Sequence, residues 1–288
     1  MGETTLQEAL NEFKTTYMPA RNLAARTREE YANDLAAFLI YLRGLGIAKT
    51  GEVAINHVDQ YLAYLDEKGF SGSTRKRKAI VFRSFLSFLY RNNSISNDIS
   101  HRIIVPFADH PLPRILTQSE YKHLLEVSSF NIRDYSIISL LLQTGMKLSE
   151  LVRLPSTNIH IPDSIDITSM NSKKRRSIPL NSKACEALQA YLAVRPASGY
   201  TNVFLNSDRK PLGERGVQKL VMKYYKQAGI SSATVQTLRH TFAVQHIAKG
   251  TTLKTVQNIM GHKDIRTTEE YLPLVHDLTR REMEENAL

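Results

Sequence analysis

The sequence predicts a mainly helical protein with one small β-sheet: an all-helical N-terminal bundle followed by a mixed α+β domain. Three observations predict this fold class. The chain has 288 residues, about twice the length of a common single domain. Apolar residues recur at helical spacing through the first hundred residues. A proline-containing stretch without this period then separates them from a segment that mixes helical and alternating patterns.

Four apolar stripes before residue 100 predict four amphipathic helices that pack as a small bundle. Capping boxes at Thr5 with Glu8 and at Thr27 with Glu30 predict two of the helix starts. Gly69 stands where the third helix should end. The stripes consist of Leu6, Leu10 and Phe13, then Tyr31, Leu35, Phe38, Leu39 and Leu42, then Val58, Tyr61, Leu62 and Leu65, then Val81, Phe85, Phe88 and Leu89.

A linker is predicted at 106–116. Three prolines from Pro106 to Pro113 fall within eight positions there, and no apolar period is present. The linker divides the chain into a first domain at 1–105 and a second at 117–288.

The second domain is predicted to hold short strands between helices. Alternating isoleucines and a later short apolar run predict the strands, and a very basic turn at 173–176 joins them. Thr117 with Glu120 predicts the first helix start, while Gly145 and Gly229 mark helix ends. The alternating residues are Ile159, Ile161, Ile165 and Ile167.

The charge distribution favours a polyanionic partner. Lys and Arg number 38 against 28 Asp and Glu, a formal net charge of +10, in a composition otherwise typical of globular proteins. Four cations at 75–78 crowd the first turn of a predicted helix, where the helix dipole makes cations unfavourable. A phosphate backbone would offset that cost, and basic residues at 173–176 and 280–281 would add contacts. The bland interpretation is a solvated basic face.

Several classes of protein are disfavoured. No apolar run reaches about eighteen residues, and the start of the chain lacks the pattern of a signal peptide, so we expect a cytoplasmic protein without a membrane partner. The single cysteine, Cys185, cannot form an internal disulfide, and its helical context predicts a small packed residue. No phosphate-binding glycine loop or acidic metal cluster is present in the sequence, so neither a metal nor a cofactor is expected.

Chemistry-bearing residues concentrate in the last fifty positions. Arg239 can bind a phosphate through two N–H groups, and the Tyr271 oxygen can form a covalent phosphodiester. His240 and His262 can donate a hydrogen bond or a proton. Phosphoryl transfer on DNA without a metal needs these groups, although each residue alone also fits a core, surface or capping role. Pro273 is expected to cut the helical turn at Tyr271, which predicts an exposed tyrosine.

Five segments together resemble a known family. LRHTFAV at 238–244 is similar to that family's LRHTFAT, and 261–271 is similar to its GHxxIxTTxxY. The segment 144–154 resembles its TGLRxSELxxL, and 27–38 and 73–80 are similar to its core-binding domain. These segments, spread over nearly the whole chain, resemble the tyrosine recombinases of the phage-integrase and Xer type.

The resemblance implies a C-shaped clamp on double-stranded DNA, with a core-binding N-terminal domain and a catalytic C-terminal domain. It also implies metal-independent strand exchange through a 3′-phosphotyrosyl intermediate, by a dimer on one site and a tetramer in the synapse. By position, Tyr271 is the nucleophile, Arg239 the second phosphate-binding arginine and His262 the histidine that supports the transition state. The end of the chain, where Thr279 and Glu282 have capping spacing, resembles a tail helix that docks on a neighbouring protomer.

Three positions depart from the family's pattern. Lys147 stands at the first catalytic arginine and lacks the planar fork that grips two phosphate oxygens. Gln236 stands at the histidine of HxxR and cannot shuttle a proton. Asn171 aligns with the hairpin lysine, and Lys173 or Lys174 could reach in from the same turn. The candidate DNA-binding residues are Arg75, Lys76, Arg77, Lys78, Lys174, Arg175 and Arg176.

Three hypotheses of function follow. The first is a site-specific recombinase slowed by Lys147, because losing one such donor costs on the order of a hundredfold to a thousandfold in rate. The second is a DNA-binding relative that has lost cleavage and acts as an accessory factor. The third is a type IB topoisomerase, which shares the chemistry. The target sequence stays open, as does the choice between phage integration, chromosome-dimer resolution and cointegrate resolution.

Overall fold

Two units make up the structure, which is a computed structural model describing residues 4–108, 111–168 and 175–285. The units are Met1–Pro111 and Leu112–Leu288. The predicted fold class is confirmed, because the described part of the first unit holds helices and no strand, and the second combines helices with one small sheet.

The four helices predicted in the first unit are present, and a short fifth helix is added. A π-helical turn over Phe13–Tyr17 leads from the first helix into the added one, and 3₁₀ turns lie over Thr50–Glu52 and Ser100–Arg102. The helices are α1 (Leu6–Glu12), α2 (Met18–Ala20), α3 (Ala25–Gly44), α4 (Ile55–Glu67) and α5 (Gly72–Arg91).

One of the two capping boxes predicted in the first unit is present. The Thr5 hydroxyl accepts from the backbone N–H of Glu8 at 3.2 Å, and the Glu8 carboxylate accepts from the backbone N–H of Thr5 at 2.9 Å. The prediction of a helix start at Thr27 is wrong, because α3 begins two residues earlier and no side chain caps it. The preceding turn ends at Asn22, whose φ is +51°, and alanine favours helix as soon as the chain leaves that turn.

Aromatic side chains from three helical segments form the centre of the first core. Phe13, Phe38, Phe82 and Phe85 are at most 1% exposed. The Phe38 and Phe82 ring centroids lie 4.6 Å apart, and the Phe13 and Phe85 rings meet edge to face at 5.3 Å. Helix α5 therefore packs against both the π-helical turn and α3. This packing fixes the position of the basic residues on α5.

The second unit surrounds a three-stranded antiparallel sheet with helices. Its strands, in sheet order, are β1 (Ile159–His160), β2 (Ser164–Thr168) and β3 (Arg175–Pro179). Its helices are α6 (Gln118–Ser128), α7 (Ile132–Thr144), α8 (Leu148–Arg153), α9 (Ser182–Val194), α10 (Glu214–Gln227), α11 (Val235–Ala248), α12 (Leu253–Met260), α13 (Arg266–Glu269) and α14 (Leu272–Glu285).

The sheet follows the predicted alternation of apolar residues. Ile165 pairs with Ile178 across β2 and β3, and both side chains are buried, as is Ile167. Arg175 and Arg176 belong to β3, so assigning them to a turn was wrong: each pairs with a residue of β2. Asn171, Lys173 and Lys174 lie outside the described residues.

The C-terminal helix differs from its prediction at both ends. Pro273 does not cut a helix: it lies in the first turn of α14, where its missing N–H is no loss. Thr279 lies inside α14 rather than at the start of a new helix. Among the helices of the described ranges, none is long and apolar enough to cross a membrane.

Cys185 packs as expected on α9. It is buried, and its thiol donates to the carbonyl oxygen of Pro162 at 3.2 Å. The residue therefore has a structural place between α9 and the loop before β2.

Candidate active site

A left-handed turn after α7 sets one wall of the site. Gly145 has a φ of +60°, and a Cβ there would overlap the ring of Phe242 on α11. The Thr144 hydroxyl donates to the carbonyl of Leu140 at 2.6 Å and accepts from the backbone N–H of Met146 at 3.3 Å. The turn therefore brings α7 and α11 together and directs the Gly145 carbonyl towards Arg239.

Arg239 lies at the centre of the site and is 3% exposed. Its guanidinium donates to the carbonyl of Gly145 and, at 2.7 Å, to the carbonyl of Met260 at the end of α12. Burial lowers the pKa of Arg239 to about 10, although Glu150 and Tyr271 oppose that shift. The side chain stays cationic at neutral pH and ties together the ends of α7 and α12.

Tyr271 is buried in the site, so the expectation of an exposed tyrosine was wrong. It is 3% exposed and packs with Phe242 and Met260, because it sits between α13 and α14 rather than on a free turn. Its hydroxyl lies 2.9 Å from Nδ1 of His240. Burial raises the pKa of Tyr271, which keeps the phenol protonated.

Two half-buried histidines flank the tyrosine. Burial, assisted by the charge of Arg239, lowers the pKa of both His240 and His262 to about 4, so both rings are neutral at pH 7. Nδ1 of His262 lies 2.9 Å from the hydroxyl of buried Thr268, and its ring centroid lies 6.4 Å from that of Tyr271. The backbone of His262 is fixed as well, because its carbonyl accepts from the Gln257 side chain at 3.2 Å.

Lys147 immediately precedes α8 and lies beside a largely buried ion pair. The Glu150 carboxylate accepts from the backbone N–H of Lys147 at 2.8 Å and from both arms of Arg176 at 2.8 and 2.7 Å. Arg176 also donates to the carbonyl of Ile259 at 2.7 Å. One carboxylate and one guanidinium therefore connect the start of α8, the strand β3 and the end of α12.

The electrostatics of the site favour an anion. Burial lowers the pKa of Lys147, and the charges of Arg239, Arg176 and Lys263 lower it further against the opposing charge of Glu150. Burial acts to raise the pKa of Glu150, but the Arg176 fork outweighs that effect and holds the pKa below its usual value. Several cations thus surround one ionised carboxylate, and a bound phosphate would relieve their mutual repulsion.

Gln236 lies on α11, three residues before Arg239, and its side chain is exposed. The structure therefore gathers Lys147, Arg239, His262 and Tyr271 in one place, and no described contact joins Gln236 to them.

The basic block on α5 is largely paired within the first unit. Arg75 forms an ion pair with Asp66 at 2.9 Å, and Arg77 and Lys78 both bind Asp34. Lys78 is buried. The block also starts at the fourth residue of α5, past the first N–H groups. The carboxylates of Asp34 and Asp66 therefore offset part of the positive charge for which the sequence suggested a phosphate backbone.

Two family profiles together match most of the sequence. The profile of the phage integrase family matches residues 114–276, and that of the phage integrase N-terminal SAM-like domain matches residues 10–93.

The chain belongs to the phage integrase family of tyrosine recombinases.

Relatives of this family are similar over most of their length. A tyrosine recombinase XerC of Roseiflexus sp. (strain RS-1) is 32% identical over 268 residues, covering 89% of this chain and 86% of the relative. A tyrosine recombinase XerD of Halalkalibacterium halodurans is 30% identical over 278 residues, covering 93% of each. These matches place the chain among proteins of DNA recombination and integration.

Solved structures share the fold at lower identity. A lambda integrase fragment, crystallised as a dimer bound to a COC′ core site, superposes with a TM-score of 0.78 at 18% identity, covering 93% of this chain and 95% of that one. The Tn1549 transposon integrase with circular intermediate DNA gives 0.73 at 19% identity, covering 93% and 95%. The chain therefore has the same fold as these two integrases.

Sequence reasoning missed part of the site. Glu150 could have been found, because it stands three residues after Lys147 at capping spacing. Thr268 lies within the 261–271 motif but gives no sign of its bond to His262. The carbonyl of Met260 that holds Arg239 leaves no signal, since every residue has a carbonyl.

Proposed function

We propose that this protein is a site-specific recombinase that cleaves and rejoins DNA through a 3′-phosphotyrosyl intermediate on Tyr271, without a metal ion. One observation supports this most directly. The Tyr271 hydroxyl lies in a buried cluster with Arg239 and two neutral histidines, so a nucleophile and a phosphate-binding cation occupy one site.

Arg239 would bind the scissile phosphate with the donors it has left. A guanidinium carries five N–H groups, and the described carbonyl partners are those of Gly145 and Met260. The remaining donors can bind the non-bridging oxygens, and Lys147 adds a second positive charge. Negative charge on the non-bridging phosphate oxygens is then neutralised by these side chains, so no metal ion is needed for that purpose.

His262 would act on the same phosphate as a neutral group. Its Nδ1 faces the Thr268 hydroxyl, which fixes the ring. With that hydroxyl as donor, Nε2 carries the proton and can donate a hydrogen bond to a phosphate oxygen. The Tyr271 oxygen then attacks phosphorus, the 5′ oxygen departs, and the reverse reaction with a new 5′ hydroxyl rejoins the strand.

The proposed partner is a double-stranded recombination site, contacted by a core-binding domain at 1–105 and a catalytic domain at 117–288. Solved relatives are described as a lambda integrase dimer bound to a core site and a lambda integrase tetramer bound to a Holliday junction. By this likeness we propose a dimer on one site and a tetramer in the synapse. On α5, Lys76 is the candidate DNA contact that forms no ion pair within the described residues.

A second candidate function is a DNA-binding accessory factor that does not cleave. It is supported by Lys147, which lacks the fork of an arginine, and by Gln236, which is exposed and cannot take up a proton. Both hypotheses predict DNA binding, and only the first predicts a covalent adduct.

A covalent trap on DNA of random sequence separates the two functions. The probe is a pool of duplexes with a randomised central sequence and one nick placed so that the released 5′-hydroxyl fragment diffuses away. We expect protein joined to DNA through a 3′ phosphate, enriched for one sequence and absent in Tyr271→Phe. DNA retention without any adduct would instead support the accessory function, and relaxation of supercoiled plasmid without paired sites would indicate a topoisomerase.

A further inference from the structure

The proposed reaction needs a group that removes the phenolic proton of Tyr271, because a neutral phenol is a weak nucleophile. Gln236 cannot take a proton, and its side chain is exposed. His240, four residues further along α11, lies one hydrogen bond from the nucleophile: its Nδ1 is 2.9 Å from the Tyr271 oxygen. This contact has no role in the phosphate-binding scheme described above.

We propose that His240 is a catalytic residue that accepts the proton of Tyr271 as the tyrosine attacks the scissile phosphate. The inference rests on the proposed function and names the proton acceptor of its first step. Other residues are less suited. Nδ1 of His262 is occupied by the Thr268 hydroxyl, and Lys147 and Arg239 are cations.

The protonation states of both groups are compatible with this role. Burial keeps the Tyr271 phenol protonated and the His240 ring neutral, and in the tautomer that the step requires the phenol donates and Nδ1 accepts. His240 then carries its own proton on Nε2. Burial is the main reason that the ring is a weak base, and the charge of Arg239 weakens it further; the negative charge of a bound phosphate would offset the influence of Arg239. The ring thus gains basicity when DNA occupies the site.

Bonds and protons balance in this step. The bond from the Tyr271 oxygen to phosphorus forms while the bond from phosphorus to the 5′ oxygen breaks, and its electron pair leaves with that oxygen. The phenolic proton passes to Nδ1 of His240, which becomes an imidazolium, and the 5′ oxygen takes up a proton from water, leaving a hydroxide in the solvent. In the rejoining step the attacking 5′ hydroxyl gives its proton to the solvent as its oxygen bonds to phosphorus, and the imidazolium returns its proton to the departing Tyr271 oxygen.

The test compares His240→Asn with the wild type on the duplex selected by the covalent trap. Asparagine places an amide oxygen close to the position of Nδ1, so it can still accept a hydrogen bond but cannot take a proton. We expect single-turnover adduct formation to fall by about a hundredfold or more, with DNA affinity unchanged. His240→Gln serves if the first variant does not fold, and added imidazole should restore part of the rate of His240→Ala.

A second substrate distinguishes proton removal from Tyr271 from proton delivery to the 5′ oxygen. A duplex with sulfur in place of the bridging 5′ oxygen has a leaving group that needs no acid, so it should not rescue His240→Asn. Rescue by that substrate would overturn the proposal, because His240 would then be the acid for the 5′ oxygen. An unchanged rate of adduct formation in His240→Asn would also overturn the proposal. A faster rate would overturn it as well, and would show that the hydrogen bond from His240 restrains Tyr271. Absence of adduct in the wild type itself would overturn the proposed function and this step with it.

Discussion

At the scale of single residues, Lys147 is the position where a small change should alter the reaction most. Its ammonium has one compact charge, whereas an arginine presents a planar fork to two phosphate oxygens. We expect Lys147→Arg to raise the rate of adduct formation by about tenfold to a hundredfold. Gel-resolved single-turnover assays on the trapped duplex measure this rate. An unchanged or slower rate in Lys147→Arg would show that the site is adapted to lysine.

The two neutral histidines predict a pH dependence of stability. In the folded protein the pKa of His240 and of His262 is about 4, below the ordinary value of 6.5. The unfolded chain therefore takes up protons first as the pH falls. We expect the unfolding midpoint to be constant above pH 7 and to decline between about pH 6.5 and 4. Replacing both residues with asparagine should flatten the decline, with some slope left from His246, whose pKa burial also lowers.

At the scale of elements, the Arg176 and Glu150 pair connects β3 to α8. The side chains are 15% and 12% exposed, so removing one partner leaves a charge out of water. We expect Arg176→Met to lower the free energy of unfolding by about 3–5 kcal/mol, measured by urea denaturation. Arg280→Ala breaks a pair whose side chains are 80% and 65% exposed and should change stability by less than about 1 kcal/mol. Equal losses of stability in the two variants would contradict this expectation.

The turn between α7 and α8 offers a second test at this scale. Gly145→Ala meets both a positive φ and the Phe242 ring, whereas Gly250→Ala meets a positive φ with nothing within 4 Å of the added Cβ. The shared backbone cost is about 1–2 kcal/mol. The overlap with Phe242 should add about 1–3 kcal/mol in Gly145→Ala only. Thermal denaturation of the two variants gives this difference directly.

The elements also show how far the sequence could predict the molecule. Apolar period and glycine signals located α1, α3, α4 and α5, because those features act over a few neighbouring residues. The start of α3 was misplaced, since its boundary depends on the turn before it. Burial of Tyr271 was missed for a different reason: it depends on Phe242 and Met260, which are distant in sequence and reach it only through tertiary packing.

At the scale of the whole molecule, positive charge is distributed over both parts of the chain. Residues 1–110 hold 14 basic and 12 acidic residues, and 111–288 hold 24 and 16. We expect DNA affinity to fall steeply with salt. In fluorescence anisotropy titrations, Lys76→Ala should reduce the salt slope by about one. Lys78→Ala should leave that slope unchanged because Lys78 is buried against Asp34. A reduced salt slope in Lys78→Ala but not in Lys76→Ala would contradict this expectation and indicate that Lys78 contacts the DNA.

The orientation of Arg239 depends on main-chain atoms, the carbonyls of Gly145 and Met260. Main-chain atoms are common to all residue types, so drift of the side chain at position 260 leaves that acceptor in place as long as α12 keeps its end. The position of the guanidinium is therefore kept as long as the backbone keeps its path at these two carbonyls. A lineage can exchange many core side chains around this arginine and still aim it at the same point.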